Sequence, residues 1–266
     1  MPFIPVTDPA DPRLEPYRDI RERDLVGRQG LFVAEGEVVL RLLAGQRRFE
    51  PVSVLIDARR QAKLTPILEA LPTETPVYLA GQEVIDAVAG FHLHRGILAL
   101  ARRADSPPVA ELLGTLGARA LVLALDGIAN HDNMGGLFRN AAAFGVDAVV
   151  LGAGCCDPLY RKAIRVSVGG VLRVPFARLG EGEDLVETLL AARLTPVALS
   201  PSGSTTLSRL APPARAALIA GAEGPGLPPD ILGRCLTVSI PMAAGFDSLN
   251  VATAAGIALH HLAGEP

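Results

Sequence analysis

LIAGAEGPGLPPDILGRCLTVSIPMAAGFDSLNVATAAGIALHHL, residues 218–262, sets a glycine- and proline-rich loop between apolar runs and closes on an Ala/Gly-rich segment. Two short apolar runs, 217–220 and 236–240, each stop at a glycine- or proline-marked turn, the pattern of a buried strand. An Ala/Gly-rich helix follows the second run, opened by Asp247, Ser248 or Asn250. Strand ends and the first turn of a helix carry unpaired backbone N–H and C=O groups. The loops at this corner can therefore hold a small ligand by main chain.

Upstream of this corner the pattern repeats. ALVLALD (120–126) is a continuous apolar run suited to a central parallel strand covered on both faces. The turn GIANHDN leads to a helix over 134–145, with Leu137, Ala141 and Phe144 as its apolar stripe, and DAVVLG (147–152) is the next strand. A basic segment (160–176), a helix near 182–194, TPVALS (195–200) and the polar loop PSGSTT complete the set. Alternating strands and helices predict an open parallel sheet with its ligand at the carboxyl ends of the strands.

The first half reads as a second α/β set. A proline-rich arm (1–12) precedes RLEPYRDIRERDLVGR (13–28), a single helix carrying Arg18, Arg21, Arg23 and Arg28. LFVAEGEVVLRLLAG (31–45) gives an extended start, a turn and a helix with Val38, Val39, Leu42 and Leu43 at helical spacing. Strands at 51–57, 76–80 and 96–102 alternate with helices at 60–71 and 82–89. ADSPPVAELLGTLG (104–117) breaks the pattern, so the domains expected are 1–117 and 118–266.

A chain of 266 residues can bury two cores. Although 49% of it is hydrophobic, no stretch approaches the roughly 20 apolar residues of a membrane helix, and the start is too proline-rich and acidic for a signal peptide. A soluble, cytoplasmic protein is expected. A net charge of −3 excludes a uniformly basic nucleic-acid binder but leaves local patches open. Cys155, Cys156 and Cys235 have neither metal spacing nor a disulfide framework and are expected as buried free thiols, with no metal bound.

Asn133 and Arg139 fall within about 120° of each other around their helix, with Gly135 and Gly136 between them. An N-cap asparagine and an exposed arginine would look the same. GAEGPGL (221–227) follows a strand, as a dinucleotide loop does, but its glycine order is G-x-x-G-x-G and Pro225 interrupts it. Glu223 in this loop has no evident partner in sequence. Ser248 and Asn250 suit helix capping, and His260 and His261 suit the last turn of a surface helix.

Order and spacing say more than any one motif. N-x-G-x-x-x-R-N-A (133–141), G-A-E-G-x-G-L (221–227) and I-P-M-x-x-x-x-x-S-L-N-V-A (240–252) together resemble the three motifs of the SpoU (TrmH-like) RNA 2′-O-methyltransferases, of the SPOUT superfamily. FVAEGEVVLRLL (32–43) resembles the substrate-binding domain often fused ahead of that catalytic domain, itself similar to a small RNA-binding ribosomal protein. The resemblance implies a parallel-sheet domain with a deep trefoil knot, a homodimer, and S-adenosylmethionine as cofactor. It implies cofactor contacts at Gly221, Ile240 and Leu249, with Ala220, Gly224 and Met242 nearby. It implies a polar catalytic set of Asn133, Arg139, Glu223, Ser248 and Asn250, in which Asn133 orients Arg139. Two departures stand out: Asn130-His131-Asp132 replaces an acidic-Pro pair, and Asp247 sits where glutamate is frequent.

An arginine pKa above about 12 makes Arg139 a poor general base. It suits an anchor for the phosphate beside the target ribose and for the developing oxyanion. Arg161, Lys162, Arg165 and Arg173, with the 18–28 strip, are the candidate RNA phosphate contacts. Ribosomal RNA is the substrate expected; transfer RNA and a catalytically silent RNA-binding protein are the alternatives. A nicotinamide oxidoreductase is disfavoured by the glycine order.

Overall fold

The computed structural model describes residues 2–18, 25–244 and 248–264, with the Arg28 side chain outside that set. The chain forms two compact units that interleave along the sequence: Met1–Asp105 with Asp157–Leu172, and Ser106–Cys156 with Arg173–Pro266.

The first unit contains β1 (Phe3–Pro5), α1 (Val26–Gln29), β2 (Leu31–Glu35), α2 (Glu37–Ala44), β3 (Glu50–Asp57), α3 (Gln61–Leu68), β4 (Val77–Ala80), α4 (Gln82–Ala89) and β5 (Ile97–Arg102). Its sheet runs β1-β4-β3-β5-β2. β1, β4 and β3 are parallel, and β5 pairs antiparallel with both β3 and β2. The short hydrophobic strands Val54–Ile56 and Ile97–Ala101 are buried almost completely, so the sheet centre is the core of this unit.

Two expectations are corrected here. Residues 13–28 do not form one helix: a 3₁₀ turn over Pro12–Tyr17 ends at extended Arg18. Pro16 sits inside that turn, where it removes a backbone donor. Leu14 and Tyr17 point inward from it, and the Tyr17 hydroxyl bonds Ser53 Oγ at 2.7 Å. Arg18 pairs with Glu15 at 3.1 Å, while Arg21 and Arg23, like the Arg28 side chain, lie outside the described residues. In α2 the buried stripe is Val39, Leu40 and Leu43, and Val38 is 47% exposed. Val39 and Leu43 thus keep their expected places, Leu42 is half-buried, and Leu40 takes the place of Val38.

The second unit contains α5 (Val109–Gly114), β6 (Ala120–Leu125), α6 (His131–Ala143) and β7 (Ala148–Leu151). The chain then builds α7 (Arg161–Val166) and most of α8 (Gly170–Arg173) into the first unit. It returns as β8 (Phe176–Arg178), α9 (Leu185–Ala191), β9 (Thr195–Leu199), β10 (Thr205–Thr206), β11 (Arg215–Ala220), α10 (Pro229–Leu232), β12 (Leu236–Ser239) and α11 (Val251–Ala263). The sheet order is β10-β12-β9-β11-β6-β7-β8, and every pairing in it is parallel. β6 is buried along its whole length, as its unbroken apolar run requires of a central parallel strand.

Departures from the sequence reading are local. PSGSTT is not only a loop: its last two residues make the short edge strand β10, stitched to β12 by hydroxyl bonds between Ser204 and Thr237. β12 lies between β10 and β9 but buries only Val238, and Leu236 is 49% exposed. α6 starts three residues earlier than expected, capped by Asn130, whose Oδ1 accepts from Asp132 N and Asn133 N.

The basic 160–176 segment is also partly reassigned. Arg161 forms an ion pair with Glu35, with side chains only 10% and 13% exposed, and its guanidinium stands 5.1 Å from the Phe91 ring centroid. It is therefore a packing residue of the first unit and not a phosphate contact. Lys162, Arg165 and Arg173 are exposed. No helix among the described residues is long and apolar enough to cross a membrane.

Candidate active site

The carboxyl ends of β9, β11 and β12 frame a cavity of about 660 Å³ within the second unit. Backbone shapes much of it. β11 ends at Ala220, and the loop 221–227 folds back so tightly that a Cβ on Gly221 would lie 2.7 Å from the Gly226 carbonyl carbon. Gly226 N donates to Ala222 O at 3.1 Å to close the turn, and Gly224 and Gly226 adopt left-handed φ of +89° and +70°. The glycines thus build a self-closing hairpin-like loop, not the strand-to-helix phosphate turn of a dinucleotide fold. Ala220, Gly221, Gly224, Ile240, Met242 and Leu249 all line the cavity, as do Glu223, Ser248 and Asn250.

Asn250 joins the pieces. It is the N-cap of α11, which resolves the choice among 247, 248 and 250: its Oδ1 accepts from Ala252 N at 3.0 Å and Thr253 N at 3.2 Å. With the oxygen committed to capping, the Nδ2 group must donate elsewhere. It does so twice, to Asn133 Oδ1 at 2.8 Å and to Glu223 Oε1 at 2.9 Å. One amide therefore ties the first turn of α6, the loop after β11 and the start of α11 together. Asn133, only 8% exposed, presents its carbonyl oxygen to Asn250 and keeps its own Nδ2–H groups as donors.

Arg139 stands apart from this chain of bonds. It is exposed on α6 and makes no hydrogen bond to Asn133 among the described residues. The expectation that Asn133 orients Arg139 is therefore corrected. Six residues leave the two side chains about 120° apart on the helix, and the buried one is turned to α11. Asp247 lies outside the described residues.

Sequence reasoning missed Ser200 and Ser202, which face the cavity from the loop after β9 with their hydroxyls 3.1 Å apart. A polar loop at the carboxyl end of a strand was the available signal; what was missing was that β9 is the immediate neighbour of β11. It also passed over Asn140, although that residue lies inside the quoted motif.

Asp126, at the end of β6, has its carboxyl pushed up by burial, with the charge of Asp230 adding to it. Burial also pushes up the Cys155 and Cys235 thiols; all three cysteines are free. Among the described residues no cluster of His, Cys, Asp or Glu is suited to a metal ion. His260 is exposed against the edge of Phe144, and His261 bonds Leu210 O at 2.7 Å, which gives both a place in helix packing.

A seven-stranded parallel sheet with a backbone-lined cavity at its carboxyl edge and an Asn–Asn–Glu chain beside it defines the class of site. The SpoU rRNA Methylase family matches residues 120–260, and the chain belongs to that family. It is 44% identical over 265 residues, 96% of this chain and 90% of the relative, to an uncharacterized tRNA/rRNA methyltransferase of Mycobacterium tuberculosis. It is 31% identical over 217 residues, 80% of this chain and 88% of the relative, to the 23S rRNA (guanosine-2′-O-)-methyltransferase RlmB of Salmonella typhimurium. In fold it is similar to the SpoU methyltransferase AviRb of Streptomyces viridochromogenes in complex with AdoMet, with a TM-score of 0.81 at 21% identity over 95% of this chain and 98% of that one.

Proposed function

We propose that the protein transfers a methyl group from S-adenosylmethionine to a ribose 2′-hydroxyl of RNA, with ribosomal RNA as the substrate class. The observation that carries this reading is the bond chain Asn133–Asn250–Glu223 at the wall of the backbone-lined cavity. RlmB, a relative covered over most of its length, is by name a guanosine-2′-O-methyltransferase of 23S rRNA.

The residues present fit the cofactor. A Cβ at Gly221 would fill the close approach to Gly226, so the cradle exists only because that position is glycine. Loop backbone at 220–224 offers N–H and C=O groups to polar edges, and Ile240, Met242 and Leu249 offer apolar walls. Bound there, S-adenosylmethionine supplies a methyl group activated on a sulfonium, whose passage to a hydroxyl oxygen leaves S-adenosylhomocysteine and a proton.

The protein's own task is alignment and charge control. Asn250 fixes Asn133 and Glu223 relative to each other, and Asn133 donates from Nδ2 to the incoming ribose. Ser248 positions the backbone beside Leu249. Arg139, permanently charged, anchors the neighbouring phosphate and stabilises the oxyanion, while a phosphate oxygen or water takes the proton. In this reading the first unit binds RNA, the final segment is threaded as a trefoil knot, and two copies pair in the cytoplasm. Support for the threading is the strand order, in which β12 inserts between β10 and β9 before α11 returns onto α6.

Incubation with methyl-labelled S-adenosylmethionine and total cellular RNA, then fractionation and nucleoside analysis, tests the reading. A 2′-O-methylated nucleoside from ribosomal RNA is expected. Label in a base, or in protein only, would defeat the ribose assignment, and label confined to transfer RNA would replace the substrate class.

A further inference from the structure

α6 and α11 pack against each other closely, and small residues make this possible. A Cβ on Gly136 would meet the Ala252 Cβ at 2.8 Å, and one on Gly256 would meet Asn140 Nδ2 at 2.9 Å. Into this contact Asn140 inserts its side chain, donating from Nδ2 to Ala252 O at 2.6 Å. Seven residues separate Asn133 from Asn140, almost two helical turns, so both lie on one face of α6. One holds Asn250 and the other holds Ala252, the residue whose N–H Asn250 caps.

We propose that Asn140 is a positioning residue for the reaction: its bond to Ala252 O fixes the register of α11 along α6, and thereby the place of the Asn250 amide between Asn133 and Glu223. The proposal rests on the methyltransferase reading above. Two points of attachment define a register where one allows the helix to slide or roll. With Gly136 and Gly256 offering no side chains to interlock, the Asn140 amide adds a second directional contact to the Asn133–Asn250 bond. A shift of about 1 Å at the start of α11 would carry the Asn250 Nδ2 group out of range of one of its two acceptors, and misplacements of that size cost about 100-fold in rate.

Asn140→Asp is the informative variant, because it keeps size and shape while placing an acceptor against the Ala252 carbonyl. We expect single-turnover methyl transfer to fall about 10- to 100-fold, with KM for RNA within about 3-fold of the parent. Amide hydrogen exchange across 248–254 should quicken in the full-length protein. Asn250→Ser, which retains capping but loses the amide, supplies the second arm. If Asn140 acts through Asn250, N140D in an N250S background costs less than about 3-fold. A parent-like rate for N140D, equal losses in both backgrounds, or unchanged exchange over 248–254 overturns the proposal. So does a loss seen only as a lower Tm. Should the parent protein methylate no RNA, the function reading fails; exchange in N140D then still judges the clamp.

Discussion

Asn250 carries three demands on one amide, and its chemistry predicts how it fails. Asn250→Asp keeps a good helix cap but sets a second carboxylate at the position that now donates to Glu223 Oε1 at 2.9 Å. Two carboxylates at that range repel and neither can donate, so Glu223 and the start of α11 are pushed apart and Asn133 loses its amide donor. We expect α11 to persist by circular dichroism while methyl transfer at pH 7 falls about 100-fold. Arg139 tests the other side of the reaction. Lysine retains charge but not the planar fork, so Arg139→Lys should lower kcat by about 10-fold or more with RNA Kd little changed; near-normal turnover would remove Arg139 from the role of phosphate and oxyanion anchor. The residue types at 133, 223 and 250 were legible in the sequence. Their mutual bonds were not, because residues 117 and 27 positions apart meet only through the fold.

At the scale of elements, the 221–227 loop depends on backbone proximity. Gly221→Ala places a methyl 2.7 Å from the Gly226 and Leu227 backbone, which cannot move as a side chain tip can. Such overpacking costs about 1–3 kcal/mol, and thermal melts together with cofactor titration should register both destabilisation and weakened binding. A second element has a pH signature. Asp184 caps α9 through Glu187 N at 2.8 Å and receives both Arg234 nitrogens at 2.9 Å. The Arg234 guanidinium holds its carboxyl below the usual carboxylate range. A lowered folded pKa contributes stability above the unfolded value, about 3.9, and loses it as pH falls through the folded value. The Tm advantage of the parent over Asp184→Asn should thus be complete at pH 7 and shrink below about pH 4; a pH-independent difference would discard the ion pair as its cause. Periodicity located the longer helices and most strands, but it passed over short elements such as β1, β8, β10, α5, α7 and α10 and merged the 3₁₀ turn at Pro12–Tyr17 into a longer helix.

For the whole molecule, the interleaving of units matters. Residues 157–172 belong to the first unit although β7 and β8 of the second flank them in sequence. Within that unit Arg161 satisfies Glu35, and Arg48 donates to Val171 O at 2.7 Å. A fragment ending at Asp105 would lose α7, which packs against β2, together with the Arg161–Glu35 and Arg48–Val171 contacts, so it should lack a cooperative melt; a sharp transition close to that of the intact protein would refute this. Charge divides in the same way. Removing Lys162, Arg165 and Arg173 should flatten the salt dependence of RNA binding by roughly 0.7–0.9 in log–log slope for each RNA phosphate that is no longer neutralised. Arg161→Ala should lower Tm and leave that slope unchanged.

The alternation of the longer strands and helices, the central burial of β6, the glycine loop after β11 and the family of the second half are all written in the order of residues along the chain. These depend on local pattern and on residue spacing, which the chain carries without folding. Folding sets which strands are neighbours, links Asn133 to Glu223 through one amide, spends Arg161 on packing and brings Asn140 onto the Ala252 carbonyl. Each of those is a contact between distant parts of the chain, and its geometry depends on how parallel strands order themselves in the sheet and how closely two helices with facing glycines can approach.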